Sequence, residues 1–137
     1  MKQFLFLSGI CVAAACGVHA AESAESLCST LSSGFTAQRD VLAGVLDSYT
    51  ASAAVSALQD NFRFLNALHE RADTNELWRY IENHPQEKQR LVSCLQQITI
   101  HLMRIENADY YGCAPLRELL FPMLNPAADT PDAEPAA

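Results

Sequence analysis

Cysteine and histidine are the residue types in this chain that could carry redox or metal chemistry. Beyond residue 20 the chain has three cysteines, Cys28, Cys94 and Cys113, and the histidines that a helical fold could turn inward are His69 and His101. Redox enzymes usually offer a resolving partner such as C-x-x-C, and the chain has no such pair. It also lacks C-x-x-C-H, E-x-x-H and H-E-x-x-H, which indicate covalent haem, di-iron and zinc sites. The sequence therefore predicts no catalytic residue, no metal ligand set and no cofactor.

The two histidines keep one ligand hypothesis open. His69 continues the apolar stripe of Leu65 on one predicted helix, and His101 flanks the stripe of Ile98 on another. Helical bundles hold haem and metal ions between inward side chains of this kind. A haem- or metal-binding bundle that uses His69 and His101 is therefore the alternative to a protein without a cofactor.

Residues 1–20 have the three parts of a secretory signal peptide. Lys2 makes the start positive, residues 4–15 are uncharged and mostly apolar, and Val18-His19-Ala20 supplies small residues for cleavage. The apolar run is short of the roughly 20 residues that cross a bilayer. We therefore expect cleavage after Ala20 and a soluble protein in the periplasm or outside the cell. In the alternative, the lipobox-like sequence AAAC is processed and a lipid on Cys16 anchors the protein.

The charge balance narrows the classes of partner. The chain has nine Lys and Arg, of which Lys2 leaves with the signal peptide, against 16 Asp and Glu. The remaining basic residues are scattered singly along the chain. Such a surface repels phosphate backbones and anionic lipid faces, so the sequence predicts no nucleic-acid partner.

Apolar residues recur at helical spacing over residues 21–124, and no segment alternates with period two. The pattern predicts helix one at 22–49, helix two at 52–71, a short helix three between Asp73 and Pro85, helix four from Pro85 to about Gly112, and a last turn at 115–122. Among the residues expected to face the core are Leu42, Val45, Leu46, Tyr49, Leu58, Leu68, Leu77, Ile81, Leu91, Leu95, Ile98, Leu102 and Ile105. A break near Gly34 is an alternative within helix one.

These elements predict an all-α fold, with residues 21–124 forming one small antiparallel bundle. Short connections favour four helices in up-down-up-down order. If His84-Pro85 only kinks the chain, helices three and four merge and the alternative is a bundle of three long helices. Residues 125–137 are rich in Pro, Ala and acids and have no large apolar side chain, which predicts a disordered tail.

The bundle predicts one disulfide bond. In the four-helix order the start of helix one and the end of helix four lie at the same end, which brings Cys28 beside Cys113. Cys94 is then a buried free thiol. Pairing of Cys94 with Cys113 is the alternative if helix four frays early, because a straight helix would hold the two too far apart.

An interaction function remains once enzymatic motifs are absent. Trp78 and Tyr80 on helix three, and Tyr110 and Tyr111 after helix four, are aromatic residues with polar atoms, the types enriched at binding hot spots. We therefore expect an exported, non-enzymatic protein-binding module of the cell envelope or the secretome, with these four residues as candidate partner contacts.

Overall fold

The structure, a computed structural model, describes residues 22–126. Its five α-helices are α1 Ala24–Ala43, α2 Ser48–Arg71, α3 Thr74–Asn83, α4 Pro85–Asn107 and α5 Ala114–Leu124. No strand occurs in this part of the chain, so the predicted all-α class is confirmed. The predicted signal peptide, Cys16 and residues 127–137 of the predicted tail lie outside the described residues.

A capping box sets the boundary between α1 and α2. The Asp47 carboxylate accepts a hydrogen bond from the Thr50 backbone N–H at 2.8 Å, and the Thr50 hydroxyl bonds back to the Asp47 backbone N–H. The connection therefore falls at residues 44–47, earlier than the sequence pattern predicted. As a consequence Leu46 and Tyr49, both expected in the core, are exposed.

Helices α3 and α4 are separate, as the first of the two predicted arrangements requires. The Asp73 carboxylate caps α3 by accepting bonds from the backbone N–H groups of Asn75 and Glu76 at 3.0 and 3.1 Å. Pro85 begins α4, because its ring pre-sets helical φ and its missing N–H is not needed in a first turn. With ten residues, α3 is less than half as long as α4, which has 23.

The short α3 decides the directions of the long helices. Arg71 at the end of α2 pairs with Glu22 at the start of α1 at 3.4 Å, so α1 and α2 are antiparallel. Residue numbers on α1 and α4 rise together: Arg39 bonds Gln97, and the Leu42 carbonyl bonds Arg104. Helix α4 therefore runs parallel to α1. This differs from the predicted up-down-up-down order, in which helix three spans the bundle and helix four is antiparallel to helix one.

The core has two parts, and α1 contributes to both. The first part lies near the end of α1, where residues of α1, α2, α4 and α5 and of the segments that follow α1 and α4 pack together. Its buried residues are Leu42, Val45, Ala51, Ala54, Leu58, Cys94, Ile98, Leu102, Ile105, Tyr110, Cys113, Leu116 and Leu120. The second part lies near the start of α1, where α1, the end of α2, α3 and the start of α4 pack together. Its buried residues are Leu27, Cys28, Leu68, Leu77, Ile81 and Leu91. The partly buried ring of Phe35 packs against both parts.

Close contact between α1 and α2 is centred on Gly34. Its carbonyl accepts a bond from the buried Asn61 amide at 2.8 Å. A Cβ atom at Gly34 would stand 2.7 Å from Leu65 Cδ2 and 3.0 Å from the Phe64 ring. A side chain at this position would therefore require Leu65 to shift, and α1 continues through Gly34 without the break that the sequence allowed.

Arg104 on α4 joins the end of α1 to the rest of the protein. Its guanidinium donates to the carbonyls of Leu42 at 3.0 Å and Val45 at 2.6 Å, and to the Tyr111 hydroxyl oxygen at 2.8 Å. The last carbonyls of a helix have no partner within the helix, and a cation is favourable there. One planar side chain thus ties together α1, the 44–47 connection, α4 and the turn that follows α4.

We expect Arg104→Met to lower the free energy of unfolding by about 2–3 kcal/mol, because it keeps the aliphatic bulk but removes charged donors from two carbonyls. Urea denaturation of the variant measures the loss. Arg63→Met is the matched control, since Arg63 is exposed and only pairs with Asp60 one turn away on α2. That control is expected to change stability by no more than about 0.5 kcal/mol. Equal losses in the two variants would contradict the role assigned to Arg104.

Candidate functional site

Helix α4 has an apolar face that none of the other described helices covers. We call it the outer face of α4 and define it by Val92, Leu95, Gln96, Thr99, Ile100 and Met103. The side chains of Val92, Leu95, Ile100 and Met103 are 45%, 40%, 63% and 53% exposed. The six defining positions follow one another as i, i+3, i+4, i+7, i+8 and i+11, which places them along one side of the helix. Leu95 was expected in the core and is instead part of this surface.

The outer face exists because α4 is apolar on more of its circumference than its neighbours cover. Residues 91–103 contain no Asp, Glu, Lys or Arg. One stripe of this segment packs inward on α1 and α3, namely Leu91, Cys94, Ile98 and Leu102. The second stripe, rotated by about a third of a turn, is the outer face. A helix of a soluble protein usually places polar residues there, so the composition of this side calls for an explanation.

The polar atoms on the outer face leave its apolar character intact. The Thr99 hydroxyl donates to the Leu95 carbonyl within the helix at 2.9 Å, so this hydroxyl is already satisfied. Charge appears only at the two ends of the face. Lys88 lies near the start, where it pairs with Glu82 at 2.7 Å, and Glu106 is exposed near the end. Among the described residues Glu106 has no ion pair.

A second groove, between α1 and α4, is polar. It is lined by serine and threonine hydroxyls of α1 and by Glu87 and Arg90 of α4, with Cys28 at its edge. Burial, and then the nearby Glu87 carboxylate, raise the pKa of the Cys28 thiol. A thiol that stays protonated is a poor nucleophile, so this groove offers no activated cysteine.

The four aromatic candidates have different environments. Trp78 on α3 is 54% exposed and is available to a partner. Tyr80 is half-buried and stacks on the His84 ring at 3.9 Å between centroids. Tyr110 is 3% exposed, which corrects its prediction as a contact, and burial raises its pKa. The hydroxyl of Tyr111 already accepts a bond from Arg104.

Tyr110 is buried because the chain turns left-handed after α4. Asp109, Tyr110, Tyr111 and Gly112 have φ values of 48°, 52°, 53° and 70°. Each non-glycine residue in this conformation costs about 1–2 kcal/mol. The turn is held by the buried Tyr110 ring on one side and by the bond from Arg104 to Tyr111 on the other. The sequence pattern anticipated this conformation at Gly112 alone.

The predicted Cys28–Cys113 disulfide is not formed in the structure. Cys28, Cys94 and Cys113 are all free and buried. Cys28 lies in the core near the start of α1, and because α4 runs parallel to α1, Cys113 follows α4 near the other end. The Cys113 sulfur instead lies 3.7 Å from the Ser52 hydroxyl oxygen. The correction follows directly from the direction of α4.

His69 and His101 are also kept apart. His69 is exposed near the end of α2, beside the start of α1. His101 is half-buried on α4, three residues before Arg104, which binds the end of α1. His69 lies level with the start of α1 and His101 lies level with about residue 40, so the histidines are on the order of 20–25 Å apart along the axis of α1. The structure does not bring these two residues to one ligand, and residues 22–126 contain no cluster of three or more metal-binding side chains.

His101 makes stability depend on pH. Its Nδ1 atom is buried without a hydrogen-bond partner, and burial, then the charges of Arg104 and Arg39, lower its pKa below 6.5. The unfolded chain therefore binds a proton more readily than the folded one. We expect stability to fall as the pH drops through about 6.5 and on to the lower folded pKa. His101→Gln should flatten this part of the profile in urea titrations, whereas His69→Gln, at an exposed position, should leave it unchanged. A steeper profile for His101→Gln would contradict the assignment.

We expect Cys28, Cys94 and Cys113 to be free thiols in the purified protein. Protein purified without reductant, denatured and treated with iodoacetamide should gain three adducts, at Cys28, Cys94 and Cys113, because all three thiols are free in the structure. Peptide mass mapping measures the adducts. A peptide pair linked through Cys28 and Cys113 would instead require α4 to run in the opposite direction.

Comparison with known proteins adds no family to these observations. No family model matches the chain, and no curated protein and no solved structure shows significant similarity to it. Among residues 22–126, no helix has the length and hydropathy needed to span a bilayer. The outer face of α4 is therefore the feature of the described residues that points most directly to a function.

Proposed function

We propose that the protein is an exported, non-enzymatic helical-bundle protein that acts as a protein-binding module of the cell envelope or the secretome. The outer face of α4 is its binding surface. The observation that carries this proposal is a row of half-exposed apolar side chains on a helix segment without charge, in an otherwise acidic protein. The proposal includes cleavage of the signal peptide after Ala20 and a disordered tail at 125–137.

The shape and chemistry of this face suit a helical or groove-shaped protein surface. Partners of this kind are recognised through apolar anchors at i, i+3, i+4 and i+7. Burial of the area still exposed on Val92, Leu95, Ile100 and Met103 would contribute about 1 kcal/mol for each side chain. Single exposed apolar residues occur on most proteins, but four of them on one side of a helix segment, with only Gln96 and Thr99 between them, are typical of an interaction site.

Trp78 is proposed as a second partner contact. It is the one aromatic candidate of the four that is more than half exposed in the structure. Tryptophan combines a large apolar area with an N–H donor, which explains its frequency at binding hot spots.

Site-specific photocrosslinking in cells tests the proposed function. A photoreactive residue at Ile100, 63% exposed on the outer face, is expected to give a discrete protein adduct in the periplasmic or secreted fraction. The matched control is the same residue at Gln97, which is exposed on the same helix but turned toward Arg39 of α1. No adduct from Ile100, or equal adducts from both positions, would overturn the proposal.

A further inference from the structure

The outer face of α4 is nearly symmetric about its own midpoint. That midpoint lies between Gln97 and Ile98. Val92 and Met103 are equally far from it on either side, as are Leu95 and Ile100, and Gln96 and Thr99. When one helix is turned end for end, each residue of the face meets a residue of similar character. Self-complementarity of this kind is what a two-fold interface between identical chains requires.

We infer that a second copy of this chain covers the outer face, with the two α4 helices packed antiparallel about a two-fold axis. The inference rests on the proposed function, because it names the partner of the same surface. Val92, Gln96, Thr99 and Met103 are spaced four, three and four residues apart, the spacing of a short coiled-coil seam. Leu95 and Ile100 flank this seam, so each of them lies close to its own counterpart across the axis.

The polar residues of the face specify the register. In the antiparallel arrangement Gln96 of each copy lies level with Thr99 of the other, in the two central layers. The Thr99 hydroxyl proton is used within its helix, but the Gln96 side chain makes no hydrogen bond among the described residues and its amide can donate across the interface. Polar residues inside a coiled-coil seam fix the alignment of the two helices, because a shifted helix leaves the amide buried and unpaired.

The charges at the two ends of the face are complementary in this register. Lys88 lies ten residues before the midpoint and Glu106 lies nine residues after it, so Lys88 of one copy comes level with Glu106 of the other. Glu106 has no ion pair within its own described chain, whereas Lys88 also pairs with Glu82, so in the dimer the Lys88 ammonium lies between two carboxylates. A parallel arrangement would instead place Lys88 near Lys88 and Glu106 near Glu106. The charges therefore favour the antiparallel dimer.

The size of the face sets the strength expected of the dimer. One side of a helix about 12 residues long buries on the order of 1,000 Å² in total when two copies meet, which is the low end for a specific interface. Interfaces of this size usually bind with dissociation constants in about the micromolar range. The dimer is therefore expected to dissociate reversibly on dilution.

Sedimentation velocity of the exported protein, from about 1 to about 500 µM, tests the inference. A concentration-dependent shift from monomer to dimer is expected. Ile100→Asp places two carboxylates near the axis and should weaken the dimer at least about ten-fold. Gln97→Asp carries the same charge on the side of α4 that faces Arg39 and should change the dissociation constant less than about two-fold. Thermal unfolding of both variants is measured beside it, and both are expected to keep the fold.

A charge exchange tests the register. Glu106→Lys should weaken the dimer by roughly five-fold, since it removes an attraction at both ends of the interface. Adding Lys88→Glu to the same chain should restore the original dissociation constant, which a purely structural effect of either substitution would not do. A double variant weaker than the single one would overturn the antiparallel register.

Photocrosslinking at Ile100 distinguishes the proposed function, binding of a protein by the outer face, from the inference that this protein is a second copy of the chain. An adduct with the mass of two identical chains supports the dimer. A purified protein that stays monomeric to about 500 µM, together with an adduct to a different protein, overturns the second copy as partner and leaves the proposed function standing. A monomer without any adduct overturns both. A dimer that Ile100→Asp does not weaken uses another surface and overturns the inference.

Discussion

The bonds of the Arg104 guanidinium to the end of α1 are the constraint on which the arrangement of α4 depends. Arg104 donates to the carbonyl of Leu42, in the last turn of α1, at 3.0 Å and to the carbonyl of Val45, in the 44–47 connection, at 2.6 Å. Once this side chain is fixed toward α1, the rotation of α4 about its axis is fixed as well. Leu102 and Ile105 then face the core, and Met103, between them in sequence, faces solvent. The outer face is thus a consequence of a contact made on another side of the helix.

The direction of α4 has a different origin, in the ten residues of α3. A helix of that length spans about 15 Å, roughly half of α1, so it closes one end of the protein without carrying the chain back to the other. Helix α4 then returns parallel to α1 and separates the cysteines that an up-down-up-down order would have joined. In their place, packing in two connected core regions and the contact of Asn61 with Gly34 hold the long helices together.

The candidate site shows how far sequence patterns reach. The uncharged run at 91–103 and the helical spacing of its apolar residues are visible without a structure. The sequence also marked Trp78 as a candidate partner contact, and this side chain is exposed in the structure. The side of α4 that meets α1 is not visible, because the apolar arc is wide enough for either stripe to be the buried one. Leu95 was therefore assigned to the core, and Tyr110 to the surface, although each belongs to the other class.

The all-α class and the caps of α3 and α4 at Asp73 and Pro85 could be predicted from sequence, because each depends on interactions between residues a few positions apart. The separation of these two helices was favoured but left open beside a merged helix. The direction of α4, the distance between Cys28 and Cys113, and the choice of the apolar stripe that remains exposed became visible with the tertiary structure. These features depend on contacts between residues about 60 positions apart, such as Arg104 with Leu42, and neither local propensity nor hydrophobic periodicity encodes which distant surfaces will meet.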